Sequence, residues 1–341
     1  MKLVIINESE AGQRLDKYLN KLLKEAGKSF LYKMLRKKNI TLNNKKADGS
    51  EHLQAGDEIR LFFSDETFEK FAGAPRTEVP AAKPASTAKL PPVKIIYQDD
   101  DVMILNKPAG ILSQKAQADD VSLNEYILQY LLKKGKVTHE SMATFRPSVC
   151  NRLDRNTSGI VTAGITYRGA RELSDMLRGR RADKRYLALV KGVLKRPAHL
   201  KGWLSKDREN NLVSIQPRET EGAQQIETEY IPLGDNGRMT LLEIHLITGK
   251  SHQIRAHLAS TGHPVVGDTK YGEEQINGWY HRTYHGHFQL LHSWKLRFPA
   301  DGCSLEGLAG RTFRASLPEN FMRVLEGEGL LRHVNMEQPR T

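Results

Sequence analysis

Apolar positions near the start of the chain fall on one helical face. Leu15, Leu19, Leu22 and Leu23 recur at three- and four-residue spacing, with Asp16, Lys17, Lys21 and Lys24 between them. Gly27 is placed to end that helix, and Ser29 to cap a second one over residues 30–38. The second helix turns Phe30, Leu31, Met34 and Leu35 inward and leaves Lys33, Arg36, Lys37 and Lys38 as a concentrated positive face. Alternation at 40–42 and 57–63, with Asn43-Asn44 between, predicts short strands. From 64 to 92 the period disappears. Pro75, Pro80, Pro84, Pro91 and Pro92 alternate with Ala, Ser, Thr and Lys, the pattern of a flexible or extended linker that leaves the first unit's orientation open.

A second pattern begins at Val93. Strands are expected at 93–97 and 102–106, followed by a stop at Lys107-Pro108-Ala109-Gly110. Ser122 with Glu125 reads as a capping box for a helix carrying Leu123, Tyr126, Ile127, Tyr130 and Leu131 on one face. Further strands are expected at 160–165, 184–191, 213–216, 225–232, 239–247, 288–298 and 311–317. Helices are expected at 167–180, after Ser251 and at 318–326. Many strands, few helices and short connections predict an α+β domain on a mixed, largely antiparallel sheet. The expected division is a small α/β domain at 1–63, a linker at 64–92, a large domain at 93–330 and a tail at 331–341.

Composition narrows the partners. The 341 residues carry 52 Lys and Arg against 40 Asp and Glu, a net charge of +12 that points to a polyanion, with a merely basic protein as the plain alternative. There is no run of about 18 apolar residues, so no membrane span is expected. The first residues lack a signal-peptide core, so a cytoplasmic location is expected. Two cysteines, Cys150 and Cys303, make neither a disulfide framework nor a cysteine-rich zinc site. No phosphate-cradling glycine loop follows a strand, which argues against a nucleotide cofactor. Five histidines between His263 and His292 lack accompanying carboxylates or cysteines, so loop or polyanion contacts are expected rather than a metal. Thr157-Ser158-Gly159 is not a serine-hydrolase elbow.

One stretch stands out, Asn151-Arg152-Leu153-Asp154-Arg155-Asn156-Thr157-Ser158-Gly159. An aspartate set between two arginines is expected to be ionised, which suits a nucleophile or an electrostatic anchor better than a general acid. A salt-bridged loop ahead of a strand is the other reading.

That stretch resembles the His-Arg-Leu-Asp-x-x-Thr-Ser-Gly signature of the RluA-type pseudouridine synthases. The resemblance continues in order through Leu105-Asn106-Lys107-Pro108-Ala109-Gly110, Lys184-Arg185-Tyr186, Thr248-Gly249-Lys250-Ser251-His252-Gln253-Ile254-Arg255, the stretch from His263 to Gly272, and Leu291-His292-Ser293. Residues 1–63 resemble the small RNA-binding domain first described in ribosomal protein S-four, through Arg14-Leu15-Asp16-Lys17-Tyr18-Leu19, Lys37-Lys38-Asn39-Ile40-Thr41-Leu42-Asn43 and Leu53-Gln54-Ala55-Gly56-Asp57-Glu58-Ile59. The resemblance implies a pseudouridine synthase fold. It implies conversion of uridine in RNA, most plausibly large-subunit ribosomal RNA, to its carbon-linked isomer by a monomer using neither metal nor cofactor. It gives Asp154 the catalytic role. Tyr186 would lie against the uracil and handle the proton on C5. Arg255 would pair with the aspartate, and Arg152 would occupy space near the extruded base. Lys33, Arg36, Lys37 and Lys38 would face RNA. Two departures stand out: Asn151 where the family has His, and Lys250-Ser251 where it has Arg-Thr. Lys107 reads as structural. The alternatives are a non-catalytic RNA-binding or ribosome-assembly protein, favoured by Asn151, and a DNA-binding protein, disfavoured by the lack of a recognition-helix motif.

Overall fold

The computed structural model describes residues 1–72, 92–117, 120–138, 141–207, 210 and 212–334. The first unit runs β1 (Lys2–Ile5), α1 (Leu15–Leu22), α2 (Lys28–Arg36), β2 (Ile40–Leu42), β3 (Lys45–Lys46), β4 (Glu58–Leu61) and α3 (Asp65–Ala72). Its strands form an antiparallel sheet in the order β1-β4-β2-β3. The inward faces of α1 and α2 close a core of Leu15, Leu19, Leu31, Leu35, Ile40 and Ile59 against it. The second helix stops at Arg36 rather than Lys38, because Lys38 takes a left-handed conformation at φ 58°. Gly27, not Ser29, stands at its N-cap.

The expected linker is helical over α3. Phe68, Phe71 and Ala72 pack on the first unit's core, with the Phe71 ring tilted against Phe30 at 4.4 Å. Sequence composition had concealed this because the proline-rich part begins only at Pro75; the rest of that segment, 73–91, lies outside the described residues. The first unit also rests on the second. Tyr167 N–H donates to the Ser9 carbonyl at 2.9 Å, and buried Glu10 accepts from Tyr18 at 3.2 Å and from Thr144 of the second unit. The expectation of an orientation left open therefore differs from the docked arrangement.

The second unit runs β5 (Lys94–Gln98), β6 (Val102–Lys107), α4 (Leu123–Lys133), α5 (Ser141–Thr144), β7 (Ser148–Val149), β8 (Ser158–Gly164), α6 (Tyr167–Arg178) and β9 (Asp183–Lys191). It continues through β10 (Ala198–Asp207), β11 (Leu212–Gln216), β12 (Gln224–Asp235), β13 (Met239–Leu246), α7 (Gln253–Ser260), α8 (Glu274–Tyr284), β14 (Leu291–Arg297), β15 (Thr312–Arg314) and α9 (Glu319–Gly327). The strands make one sheet of eleven, ordered β11-β10-β12-β13-β9-β14-β8-β6-β5, with β15 on β14 and β7 on β8. The fold is α+β, as expected. Strand β1, strand β10 and helix α8 were not foreseen. The α8 stretch, with Asn277, Gly278, Trp279 and Tyr280 in it, has weak helix propensity and is held by burial of Ile276 and Tyr280.

Alternation along β9 shows how the sheet is covered on both faces. Tyr186, Ala188 and Val190 enter a core shared with α4 and α7, while Leu187 and Leu189 enter one shared with α8 and α9. The tail contributes as well, since Val334 is buried in the second of these cores. Its remainder, 335–341, lies outside the described residues. Ser122 does stand at the N-cap of α4, but its hydroxyl is spent on the Glu125 carboxylate and caps no backbone N–H.

Among the described residues, every strand pairing in the large sheet is antiparallel except one. β8 and β14 run parallel at Ser158–His292 and Gly159–Ser293. Gly159 has φ 113°, and a Cβ there would lie 2.2 Å from the Ser293 carbonyl oxygen, so only glycine permits this approach. Beside it, Ser158 Oγ bonds His292 Nδ1 at 2.8 Å, while His292 Nε2 lies 3.3 Å from the Ala315 carbonyl. A carbonyl only accepts, so Nε2 carries the hydrogen and Nδ1 accepts from Ser158.

Two predictions follow from this join. Gly159→Ala should lower stability by on the order of 3 kcal/mol or prevent folding, since backbone must move; unfolding by urea measures this, and a wild-type midpoint would contradict it. The second concerns His292, whose imidazole burial pushes from 6.5 to about 4, opposed by the Ala315 carbonyl. Between those values the unfolded chain binds the proton and the folded chain does not, so stability falls as pH drops from about 6.5 to about 4. The loss is on the order of 3 kcal/mol. In His292→Gln the slope of unfolding free energy against pH in this window should be shallower by up to about 1.4 kcal/mol per pH unit.

Candidate active site

Asp154 lies in the turn between β7 and β8, immediately before the parallel join. Its loop is fastened at nearly every residue. Asn151 Oδ1 accepts from Thr162 N at 2.7 Å and Thr162 Oγ1 at 2.9 Å, tying the loop's entry to β8. Leu153 N–H donates to Ser113 Oγ, which in turn donates to the Leu153 carbonyl, both at 3.0 Å. The Arg155 carbonyl accepts from Gly110 N at 2.9 Å and from Lys107 Nζ at 3.1 Å. Thr157 N–H closes the turn on the Asp154 carbonyl at 3.1 Å, and Thr157 Oγ1 accepts from Gln289 at 2.8 Å.

Lys107 is fully buried, and its ammonium donates to three carbonyls, those of Pro108, Ile111 and Arg155, at 2.8 to 3.1 Å. Burial pushes its pKa down to about 7, with the charge of Asp154 opposing the shift. Three acceptors match the three N–H bonds of the ammonium, so the side chain works as a clamp between the 107–111 turn and the Asp154 loop. The structural reading of Lys107 is consistent with this geometry.

The arginines beside Asp154 in sequence do not pair with it. Arg155 bonds Asp120 at 3.2 Å, and Arg152 is exposed. Arg255, in the first turn of α7, reaches Asp154 instead: its Nη1 donates to Oδ2 at 2.7 Å. The same guanidinium makes a two-point contact with Asp268, Nε to Oδ2 at 2.7 Å and Nη2 to Oδ1 at 2.8 Å. The side chains grade from solvent inward, with Asp154 25% exposed, Arg255 5% and Asp268 0%. Burial alone would lower the Arg255 pKa, but the hydrogen bonds and charges of Asp268 and Asp154 outweigh it and raise it. Burial likewise acts to raise the Asp268 pKa and is outweighed by Arg255 and by the N–H groups of Lys270 and Tyr271. Asp154 Oδ1 has no hydrogen-bond donor among the described residues.

The entry to α7 is shaped by Gln253, not by Ser251. Gln253 Oε1 accepts from Thr248 Oγ1 at 2.9 Å and Lys250 N at 3.1 Å, and its amide donates to the Glu227 carbonyl and Thr228 Oγ1, each at 3.0 Å. His252 takes the left-handed conformation at the helix start, φ 55°, with Nδ1 2.9 Å from Tyr271 Oη. The Tyr271 ring lies beside the Arg255 guanidinium, 5.2 Å away.

Tyr186 completes the cluster. It stands on β9 opposite Ser293 of β14 and is buried. Burial pushes its phenol up to about 12; a hydrogen bond with Ser293 opposes this, and the charge of Asp154 adds to it. The phenol is therefore un-ionised at neutral pH. Asp154, Tyr186 and Arg255 thus converge, while Lys33, Arg36, Lys37 and Lys38 are exposed at and beyond the end of α2 in the first unit. Asp268, Tyr271 and Lys107 complete the site's support. Lys107 reads as structural from its sequence, whereas Asp268 and Tyr271 stand out in no way there, because their partners are remote in sequence. Among the described residues no three His, Cys, Asp or Glu gather as a metal site. His263 is engaged with the Lys191 carbonyl, and His285 ends α8.

A mixed, mainly antiparallel sheet with an aspartate, arginine and tyrosine at its parallel join defines the class. Residues 101–260 match the family described as RNA pseudouridylate synthase. The ribosomal large subunit pseudouridine synthase C of Vibrio vulnificus is 31% identical over 305 residues, covering 87% of this chain and 88% of the relative. The protein of the same name from Escherichia coli K12 is 30% identical over 332 residues, 96% of each. Human RNA Pseudouridylate Synthase Domain Containing 4 shares the fold, with a TM-score of 0.55 and 22% identity over 70% of this chain and 92% of that one. The chain belongs to the RNA pseudouridylate synthase family.

The graded burial separates the two carboxylates. Asp268→Asn should lower stability by about 3–5 kcal/mol, because it leaves a buried guanidinium half-compensated. Asp154→Asn, at the solvent edge, should cost far less. Thermal unfolding of the two variants checks this, and equal losses would contradict it.

Proposed function

We propose that this chain isomerises uridines of large-subunit ribosomal RNA to pseudouridine, with Asp154 as the catalytic carboxylate. The observation that carries the reading is the free Oδ1 of Asp154, held next to an Oδ2 occupied by Arg255. One oxygen is anchored and the other carries no hydrogen bond among the described residues on a partly exposed side chain, as either attack at C1′ or support of glycosidic departure requires. The reaction breaks the C1′–N1 bond and forms C1′–C5. It removes the proton from C5, leaves one on N1, and is neutral in electrons. Tyr186 lies against the uracil and handles the C5 proton. Since its phenol is un-ionised, it serves as a relay that accepts the C5 proton as it gives up its own, which ends on N1. Arg152, exposed beside the site, occupies space near the extruded base. A stacked uridine must leave its helix to reach Asp154, at a cost of a few kcal/mol. The net charge of +12 and the first unit offset that cost by contacting phosphates.

Residues 1–63 act as an S-four-like RNA-binding domain, with Lys33, Arg36, Lys37 and Lys38 on the RNA-facing side. The names of the relatives support ribosomal RNA as the substrate. A ribosomal RNA substrate fits a monomer working in the cytoplasm. Among the described residues no helix is long and apolar enough to cross a membrane.

Asn151 bears on the non-catalytic alternative. Its side chain is engaged with Thr162 rather than turned to the cleft, so the His-to-Asn departure exchanges one loop fastener for another and gives no reason to doubt turnover. Asp154→Asn should reduce pseudouridine formation by roughly a thousandfold or more while RNA affinity stays near wild type. Wild-type turnover by that variant would sink the mechanism. Unchanged pseudouridine maps of ribosomal RNA from cells lacking the chain would sink the substrate.

A further inference from the structure

The chain from the end of α6 into β9 carries five cations, Arg178, Arg180, Arg181, Lys184 and Arg185. Three are engaged: Arg178 with Asp175, Arg181 with the Gly302 carbonyl at 2.7 Å, and Arg185 with Asp183 at 2.9 Å and Glu243 at 3.8 Å. The side chains of Lys184 and Arg180 have no hydrogen bond or ion pair among the described residues. Alternation on β9 explains part of the contrast. Arg185 shares its face with Leu187, where Glu243 waits, whereas Lys184 shares its face with Tyr186 and so points to the side of the sheet that bears the site.

Lys184 stands two residues, ~7 Å along the strand, from Tyr186. Its Nζ lies over the turn that leads into α7 and Arg255, 3.5 Å from where a Cβ of Gly249 would be. The amine is half-buried. Burial lowers its pKa, and the positive charge of Arg180 lowers it further. The charge of Arg180, four residues earlier, is felt at this partly dehydrated amine, and neither side chain has an ion pair among the described residues. Such an arrangement is unfavourable in the free protein. It becomes favourable when an anion arrives, and the next cation along, Lys250, is exposed on the same turn.

Resting on the reading of the chain as an RNA isomerase, we propose that Lys184 and Arg180 bind a backbone phosphate of the substrate RNA beside the nucleotide that enters the site. Lys184 is a positioning residue: it fixes the strand next to the flipped nucleotide and takes no part at the reacting atoms. A phosphodiester supplies the missing anion, and one phosphate oxygen can accept from Lys184 while another accepts from the Arg180 guanidinium. Binding then relieves the repulsion between the two cations, so part of the affinity for RNA is stored in the free protein.

The test measures binding of an unmodified large-subunit ribosomal RNA transcript across about 50 to about 200 mM salt, together with pseudouridine formation on the same transcript. Lys184→Met should weaken binding about tenfold and reduce the slope of log affinity against log salt by about one, raising KM while kcat at saturating RNA is retained. Lys184→Arg should restore the slope. Arg180→Met, at an exposed position outside the sheet, should lower the slope as well, so a folding defect cannot imitate the result. An unchanged slope in both Met variants overturns the phosphate site, as does a collapse of kcat with unchanged binding. If the wild-type chain forms no pseudouridine in the transcript, it is the proposed function that fails. If it does and the variants bind as it does, the phosphate site alone fails.

Discussion

A guanidinium removed from water has to spend its donors on protein, and Arg255 spends them on two carboxylates of unequal depth. Asp268 holds it from below through two parallel contacts, leaving Nη1 to face outward. Asp268 is in turn saturated by the N–H groups of Lys270 and Tyr271, so the platform cannot rotate without orphaning a buried charge. The Asp154 carboxylate is thereby oriented by a group that is itself already oriented. Preorganisation of this kind costs stability in the form of desolvated charge, but requires no rearrangement when the substrate arrives.

The other half of the geometry is set by backbone. One parallel pairing inside an otherwise antiparallel sheet brings β8 beside β14, so that the end of the Asp154 loop and the strand position facing Tyr186 come from chain segments more than a hundred residues apart. Gly159 permits the close approach and the Ser158–His292 pair fastens it. Lys107, Ser113 and Asn151 fasten the loop from the other side. Three quite different residues do one job here. A loop carrying a carboxylate has backbone groups facing inward, and each buried carbonyl or N–H needs a partner.

Much of this was legible in the sequence and the rest was not, for physical reasons. Alternation identified β9, β12 and β13, because each has one or both faces buried against apolar neighbours. Helix α8 was invisible: its residues have weak intrinsic propensity and are held by Tyr280 and Ile276 in the core. Helix α3 was concealed by its position beside a proline-rich stretch. Asp154, Tyr186 and Arg255 were singled out through ordered motifs, and the fold brings them together. Asp268 received no role, because a buried aspartate looks like any other until its partner is known. The local argument for Asp154, that flanking arginines hold its charge, named the wrong arginines. Arg155 turns to Asp120 and the partner comes from residue 255, so adjacency in sequence said little about adjacency in space.

The Asn151 departure shows what a motif position is for. An acceptor at the loop's entry fastens it to Thr162, whose N–H and hydroxyl both donate to Asn151 Oδ1, and a neutral His also carries an acceptor nitrogen. Asn differs by lacking a proton to gain near neutral pH. A loop fastened by His would feel protonation as a change of partner, whereas Asn151 holds the same bonds across the whole range. With Asn at this position, the fastening to Thr162 is independent of protonation. Acid sensitivity lies instead in buried imidazoles: His257 and His292 are both pushed down to about 4 by burial, and the parallel join depends on His292 staying neutral.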